Sequence, residues 1–502
     1  MSNLLKAESL VKSSFWNFMM IFFGKIGGFT FVILLARFLL PEKFGIYSLA
    51  IYITLFFVMF ADTGINQTIL KFFSEGLKKN SKDALPVYKY LLKFKIILVV
   101  SLTTILIILS YPISIFFNKS ELFVPLLISS FYIFVLSLES FFISFFYIFE
   151  EVKYLAKRQV IWEMFRIITL IITFNLISKE HYVVAAILVL IGSTLISFLF
   201  LLRSIKKIFP DLFQKKIPIL QKNEKRKIKR FLFRTGFLSA LNLIFLYIDT
   251  FILGVFVSAE FVGYYAAVWA IISGFSSFFI LSTILLPAFS QSKKENTNSS
   301  ISKIFRYIFI FSIPIIFGII LLGNYLIRLF YGYEYLPAVW PFLILSLIIF
   351  ESPLTGILNS LFLANERQSY LSKVITLAIF INLALSLIFI PLVISISFSA
   401  VLIVVSCVVV FSRILYLALV SNYARKNLNI SLGFKNISKP LICALCMFIL
   451  LYLLNSYLIK EMNLIAGLLE IFLGGVIYFL LMFLIKGLTK KDVLFFMRIK
   501  IL

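Results

Sequence analysis

Fourteen long, mostly apolar runs constrain the fold of this chain more than any other feature of its sequence. A helix needs about 20 apolar residues to cross the hydrocarbon core of a bilayer, whereas membrane β-barrels use short segments of alternating hydrophobicity. The runs cover residues 13–40, 44–73, 91–117, 122–149, 160–177, 182–202, 231–257, 261–289, 304–326, 336–364, 370–394, 398–423, 437–459 and 464–485. Only 14% of the 502 residues are charged, against about 25% in a soluble domain. The sequence therefore predicts an all-α integral membrane protein with about 14 transmembrane helices, and it excludes a soluble enzyme.

The distribution of basic residues predicts which loops face the cytoplasm, because cytoplasmic loops carry the excess of Lys and Arg. If the N-terminus lies inside, 39 of the 48 basic residues fall in the termini and loops of that side. The run limits are approximate by a few residues, and bases near a run end are counted with the adjoining loop. On this count the outside loops hold Arg37, Lys43, Lys119, Lys179, Arg328 and Lys460, and the spans hold Lys25, Arg166 and Arg413. This bias predicts a multi-pass protein of the cytoplasmic membrane with both termini inside. It also accounts for the net charge of +26 without a nucleic-acid partner.

The sequence offers no clear set of residues for a metal site, a disulfide framework or covalent catalysis. Cys407, Cys443 and Cys446 lie within apolar runs, and His181 is the single histidine. No nucleotide-binding loop of the pattern G-x-x-x-x-G-K-[ST] occurs in the chain. We therefore expect no catalytic residue, no metal and no organic cofactor, and we expect any energy coupling to use H+ or Na+.

A repeated motif indicates that the chain contains two similar halves. The pattern E-x-x-G-x-Y begins at Glu42, where the first span ends, and again at Glu260, where the seventh span ends, 218 residues later. The dipeptide Glu-Ser at Glu139 and Glu351 is a weaker echo, 212 residues apart. Because six spans form each half, both halves enter the membrane from the same side, and the repeat is parallel. We expect two six-helix lobes around a central cavity, followed by two further helices.

These observations divide the chain into five predicted parts. They are an N-terminal lobe at 1–203, a basic cytoplasmic linker at 204–230, a C-terminal lobe at 231–424, accessory helices at 437–485 and a basic tail at 486–502. The linker either contacts anionic membrane lipid or is a simple positively charged loop on the inner side. The tail mixes basic and aromatic residues, which is typical of an interfacial anchor.

Four ionisable residues lie near the middle of predicted spans, where each charge costs about 2.5–3.5 kcal/mol. They are Lys25, Glu139, Asp249 and Glu351. Lys25 has two alternative roles: it binds an anionic group of a substrate, or it forms a structural ion pair with a neighbouring acid. The three acids also have alternative roles: they couple transport to protons or sodium ions, or they are structural, either paired with a base or permanently protonated. We infer that charges at this depth face a water-filled cavity.

Two further charges lie closer to the predicted ends of spans. Arg166 follows Glu163 by three residues, so that the two could form an ion pair on one helix face, or Arg166 could extend its side chain to the cytoplasmic interface. For Asp62, helix capping and cavity lining are both compatible with the sequence.

Three segments of the chain carry a family resemblance. They are ARFLLPEKFGIYSLA at 36–50, DTGINQ at 62–67, and Ile248-Asp249 followed by VGYY at 262–265. Through them the sequence resembles the Wzx-type oligosaccharide flippases, a family within the multidrug/oligosaccharidyl-lipid/polysaccharide exporter superfamily. The resemblance is sharpest over the first seventy residues and otherwise rests on the number of spans.

This resemblance implies two lobes around a cationic cavity that accepts a polyprenyl-pyrophosphate-linked oligosaccharide. Lys25, with Arg37 or Arg166, would attract the pyrophosphate, and Asp249 is the best match for an acid that couples transport to a cation gradient. The implied partners are lipid-linked oligosaccharide, membrane lipids and glycan polymerase machinery.

Two other functions compete with this interpretation. A cation-coupled multidrug antiporter of the same fold would use the buried acids, but the string at 36–50 counts against it. A membrane glycan polymerase or ligase would need a sizeable outer loop, and the longest predicted outside loop covers only about 327–335.

Overall fold

A computed structural model describes residues 2–62, 64–79, 81–214, 220–278, 297–365, 367–428, 434–458, 464–489 and 492. Apart from short helical turns, the helices are α1 Ser2–Asp62, α2 Ser81–Phe116, α3 Phe123–Ile148, α4 Val152–Leu176, α5 Tyr182–Ile208, α6 Lys222–Phe256, α7 Ala259–Phe278, α8 Thr297–Tyr331, α9 Val339–Leu345, α10 Ile348–Ala364, α11 Gln368–Ile394, α12 Phe398–Asn427, α13 Ser438–Leu458 and α14 Leu464–Leu484. The predicted all-α membrane fold is confirmed.

The fourteen apolar runs correspond to these helices in chain order. Over the described residues, 11 helices are long and apolar enough to cross a membrane, or up to 12 if the bent pair of α9 and α10 is one span. That pair bends by 47° and corresponds to the tenth run. The long helix α1 contains the first run and residues 44–62 of the second, whose residues 65–73 form short helical turns. Residues 279–289 of the eighth run and residues 490–491 and 493–502 of the tail lie outside the described residues.

The boundary between the first two spans is a local break within α1. Leu40 has a φ of 59°, and Pro41, which lacks a backbone N–H, follows it. A positive φ is uncommon for a residue with a side chain. The break therefore falls where the sequence ends the first run.

The structure divides into two compact units, residues 1–266 and residues 267–502. This division falls later than the predicted linker at 204–230, because α6 belongs to the first unit. Two aromatic contacts join α6 to α1, with ring centroids 5.3 Å apart for Tyr52 and Tyr247 and 5.7 Å apart for Phe56 and Phe251. The two six-helix lobes stay a prediction.

Within the first unit, loops that the sequence places on the same side of the membrane lie together. Lys43 donates a hydrogen bond to the carbonyl oxygen of Lys179 at 2.9 Å. Lys119 donates to the carbonyl oxygens of Gly254 and Val257 at 2.6 and 2.9 Å. These contacts agree with the predicted alternation of sides. The assignment of this side to the exterior remains a prediction.

The two copies of the E-x-x-G-x-Y motif meet in a reciprocal backbone contact, which we call the glycine seam. A Cβ atom on Gly45 would lie 1.7 Å from the carbonyl oxygen of Ala259, and a Cβ atom on Gly263 would lie 2.0 Å from that of Pro41. Pro41 and Ala259 occupy equivalent places, each directly before the glutamate of its motif. The repeat found in the sequence is therefore also a spatial pairing.

The glycine seam predicts that both motif glycines are intolerant of a methyl group. Gly45→Ala and Gly263→Ala should each lower the melting temperature of the detergent-purified protein, at a cost of about 1–3 kcal/mol, because the added carbon overlaps backbone atoms. Gly192→Ala is the matched control, since a Cβ atom there meets nothing within 4 Å. Equal melting temperatures for all three variants would contradict the described contact.

Candidate functional site

A network of buried charges lies along one face of α4, and we call it the α4 relay. Its members are Glu139 of α3 and Arg158, Gln159, Glu163 and Arg166 of α4. Arg158 binds Glu139 through two contacts, at 2.7 Å from Nε to Oε1 and 2.5 Å from Nη2 to Oε2. Ser197 of α5 also donates a hydrogen bond to Oε1 of Glu139. The fully buried Glu139 is thus held between two neighbouring helices.

Gln159 connects this ion pair to a second one. Its Oε1 accepts a hydrogen bond from Arg158 at 2.9 Å, and its Nε2 donates to Glu163 Oε1 at 3.0 Å. Glu163 in turn forms an ion pair with Arg166 on the same helix. The relay therefore alternates between acids and bases, and its two acids are matched by two arginines.

Aromatic rings enclose the arginine at the end of the relay. The Arg166 guanidinium carbon lies 4.2 Å from the ring centroid of Phe31 and 4.1 Å from that of Trp162. These are cation–π distances. Arg166 is buried and lies near the middle of α4, which begins at Val152 rather than at residue 160. Of the two alternatives for Arg166, the ion pair with Glu163 is therefore the one found, and the extension of its side chain to the cytoplasmic interface is not.

Lys25 lies on the stretch of α1 that packs against the relay. A Cβ atom on Gly24 would lie 2.9 Å from Gln159 Nε2, and one on Gly27 would lie 2.6 Å from Glu163 Cγ. Glycine at these two positions thus lets α4 approach α1 closely. The Lys25 side chain itself is exposed, and it forms no ion pair with any residue that the structure describes.

In the second unit, a buried acid is matched by an arginine in a similar way. Glu351 of α10 lies 3.7 Å from Arg413 of α12, whose guanidinium carbon lies 5.0 Å from the ring centroid of Trp269. Nearby on the same two helices, Tyr416 donates a hydrogen bond to Asn359 at 2.7 Å. The structure thus places Glu351 in a polar environment formed by α10 and α12.

The remaining candidates lie apart from these pairs. Asp249 is buried on α6, and its neighbour Thr250 is buried as well. Arg37 is exposed, near the end of the first span. Asp62 forms an ion pair with Lys95, which is fully buried and also donates to the carbonyl oxygen of Ala61 at 2.9 Å. The substrate and ion-coupling roles of all six predicted site residues stay predictions.

Sequence reasoning missed two buried bases by counting them among the cytoplasmic loops. Arg158 and Lys95 lie within helices long enough to span a membrane, where Arg158 neutralises the buried Glu139 and Lys95 neutralises the partly exposed Asp62. For Arg158 a signal was available. Residues 158, 159, 162, 163 and 166 are polar or aromatic at spacings that place them on one helix face. No comparable pattern surrounds Lys95.

Comparison with known proteins gives a family match and a fold match. The sequence model of a family described as "Polysaccharide biosynthesis protein" matches residues 10–293. No curated protein matches the chain significantly.

Several solved structures resemble the fold at low sequence identity. "Lipid II flippase MurJ, inward closed conformation" has a TM-score of 0.71 at 18% identity, covering 93% of this chain and 97% of that chain. "Inward-facing conformation of a multidrug resistance MATE family transporter of the MOP superfamily" has a TM-score of 0.57 at 14% identity, covering 83% and 96%. "Crystal structure of MATE in complex with MaL6" has a TM-score of 0.55 at 14% identity, covering 82% and 95%.

The α4 relay predicts that Arg158 is needed because it neutralises Glu139. Arg158→Ala should lower the free energy of unfolding by about 3–5 kcal/mol, since it leaves a buried carboxylate without its partner. The double variant Glu139→Gln/Arg158→Gln removes both charges and should recover most of the loss. Melting temperatures of detergent-purified variants measure both effects.

Lys157→Ala serves as the control for this experiment, because Lys157 is the exposed neighbour on the same helix. Its change should stay within about 0.5 kcal/mol. A double variant no more stable than Arg158→Ala would show that the ion pair does not explain the loss.

Proposed function

The chain belongs to the polysaccharide biosynthesis protein family, and we propose that it is a flippase for polyprenyl-pyrophosphate-linked oligosaccharides. In this proposal it is a transporter rather than an enzyme, and it moves the repeat unit across the cytoplasmic membrane by alternating access. A pyrophosphate and several sugars cannot cross about 30 Å of hydrocarbon unaided, because burial of unpaired polar and charged groups is costly. The polyprenyl tail can remain in lipid while the polar head moves. The glycan polymerase machinery is the proposed downstream partner.

The exposed Lys25 beside the α4 relay is the observation that carries this proposal. The two acids of the relay are matched by two arginines, so Lys25 adds a positive charge to an otherwise neutral cluster. An ammonium group without a described ion-pair partner is suited to bind a phosphate oxygen. We propose that Lys25 binds the pyrophosphate, and that Arg37 assists at the outer end of the same helix. Arg166 supports the site by holding Glu163 neutralised.

We propose a proton or sodium gradient as the energy source. A charge that crosses the membrane potential gains about 2.3 kcal/mol per 100 mV, which biases direction without ATP. Asp249 is the proposed coupling acid, because it is buried on α6 and matches the family pattern best. Glu139 and Glu351 would take part in coupling only if a cation displaces Arg158 or Arg413 from the carboxylate.

A cation-coupled multidrug antiporter is the second candidate, and the fold similarity to MATE transporters favours it. The family match over residues 10–293 favours the glycan substrate instead. Export of a cationic drug that survives Lys25→Ala, together with unchanged surface glycan, would favour the antiporter.

Lys25→Ala should abolish translocation of lipid-linked oligosaccharide, whereas Lys25→Arg should retain part of it, because only the arginine preserves the charge. Surface glycan in cells and flipping in proteoliposomes measure the effect. Lys157→Ala, which removes an exposed lysine of α4, should leave translocation unchanged. Equal membrane abundance of the variants separates this loss from misfolding, and normal surface glycan with Lys25→Ala would remove Lys25 from the mechanism.

Asp249→Asn should weaken the dependence of transport on an imposed ion gradient, because an amide neither binds a proton in this pH range nor carries charge for Na+. Flipping rates in proteoliposomes with and without a proton or sodium gradient provide the measurement. Asn242→Ala, seven residues earlier on α6, controls for a general disturbance of the helix. A gradient dependence equal to that of the wild type would indicate that Asp249 has a structural role.

A further inference from the structure

A strongly basic pocket lies in the second unit, where three separate segments of the chain meet. It encloses about 370 Å³ and is lined by the first turns of α8, the first turn of α13 and the segment that follows α14. Four of its lining residues are cationic, namely Lys303, Arg306, Lys439 and Lys486. We call it the basic pocket. A water molecule occupies about 30 Å³ in the liquid, so the pocket has room for a group larger than a simple ion.

The charge of the basic pocket is only partly compensated within the described residues. No acidic residue is among those that line it. Arg306 lies 2.8 Å from the carboxylate of Asp492, while Lys303, Lys439 and Lys486 are exposed and form no ion pair with a described acid. Like charges held together repel each other. An anion bound among the three lysines would remove that repulsion.

The compensating Asp492 is itself firmly held in place. It accepts hydrogen bonds from Tyr307 at 2.8 Å, from the Thr489 backbone N–H at 2.8 Å and from the Thr489 hydroxyl at 2.7 Å. Burial raises the pKa of Asp492, but the hydrogen bonds from Thr489 and Tyr307 and the charge of Arg306 outweigh it and lower the pKa to about 2. The carboxylate is therefore ionised at neutral pH, and its contacts with Arg306 and Thr489 hold the segment after α14 against α8.

Two further features favour a phosphate group attached to a lipid. The pocket opens at the N-terminus of α13, where the helix dipole attracts anions. Apolar side chains on α13 and α14 continue directly from it, including Leu441 and Ile442, which are 41% and 54% exposed, and Leu484, which is 77% exposed. A free phosphate would use only the charged pocket, whereas a phospholipid would also cover these apolar surfaces with its acyl chains.

We propose that the basic pocket binds the phosphate headgroup of an anionic phospholipid whose acyl chains lie along α13 and α14. Basic pockets between membrane helices bind such headgroups on the cytoplasmic side. All three segments that form the pocket belong to the side that the sequence assigns to the cytoplasm. The bound lipid joins α8, α13 and the chain after α14, so it stabilises the second unit. This inference is independent of the transported substrate.

The test titrates the detergent-purified full chain with short-chain phosphatidylglycerol and follows its melting temperature. The triple variant Lys303→Ala/Lys439→Ala/Lys486→Ala should bind this lipid about 100-fold more weakly, since each basic residue near an anionic headgroup contributes about a factor of five or more. The corresponding triple exchange to arginine preserves the charge and should retain most of the affinity. A melting transition of the alanine triple without lipid, like that of the wild type, rules out loss of the fold as the cause.

A second triple variant removes the same charge elsewhere. Lys206→Ala/Lys207→Ala/Lys222→Ala changes three exposed lysines of the basic linker region and should leave phosphatidylglycerol binding unchanged. Equal weakening by both alanine triples would overturn the proposal in favour of diffuse electrostatic attraction.

Two other titrations identify the ligand. Stabilisation by short-chain phosphatidylcholine equal to that by phosphatidylglycerol would overturn the need for a net negative headgroup. Stabilisation by inorganic phosphate alone at the same concentration would identify a free-phosphate site and overturn the lipid proposal. Stabilisation by phosphatidylglycerol only, lost in the pocket alanine triple, supports it.

Discussion

Neutralisation of buried charge is the constraint on which the rest of the first unit depends. A carboxylate in a low-dielectric interior is stable only when it is paired and hydrogen-bonded. Glu139 meets this requirement through Arg158 and Ser197, so that α3, α4 and α5 are joined at one point. Glu163 meets it through Arg166 and Gln159. Because the two acids of the α4 relay are already paired with arginines, the charge of Lys25 is not needed to neutralise them.

The sequence predicted the helices well because the bilayer imposes a length and a composition on each of them. It predicted the depth of individual charges less well. The apolar run that defined the fifth span begins at residue 160, but α4 begins at Val152, so Arg158 seemed to lie in a loop. Mean hydropathy cannot identify such a residue. A paired arginine buried within a helix lowers the mean hydropathy of its sequence window as much as an arginine exposed to water. The partner of an acid on another helix depends on tertiary packing, which one sequence does not encode in a readable pattern.

In both units a buried glutamate lies beside an arginine. Glu139 and Glu351 are the two glutamates of the repeated Glu-Ser dipeptide. Each lies beside an arginine whose guanidinium is within cation–π distance of a tryptophan ring. The distances to the ring centroids are 5.1 Å for Arg158 over Trp162 and 5.0 Å for Arg413 over Trp269. The arginines do not occupy equivalent places in the chain, so the two sites share a chemical arrangement rather than a copied set of residues.

The glycine seam has a mechanical consequence. Its closest atoms belong to the backbone at Gly45 and Gly263, and glycine has no side-chain rotamers to lose when a contact forms. Two surfaces of this kind can slide apart or come together without any interlocking group having to reorient first. The junction between the two motif copies is therefore closely packed, and separating it at these two glycines requires no side-chain rotamer change.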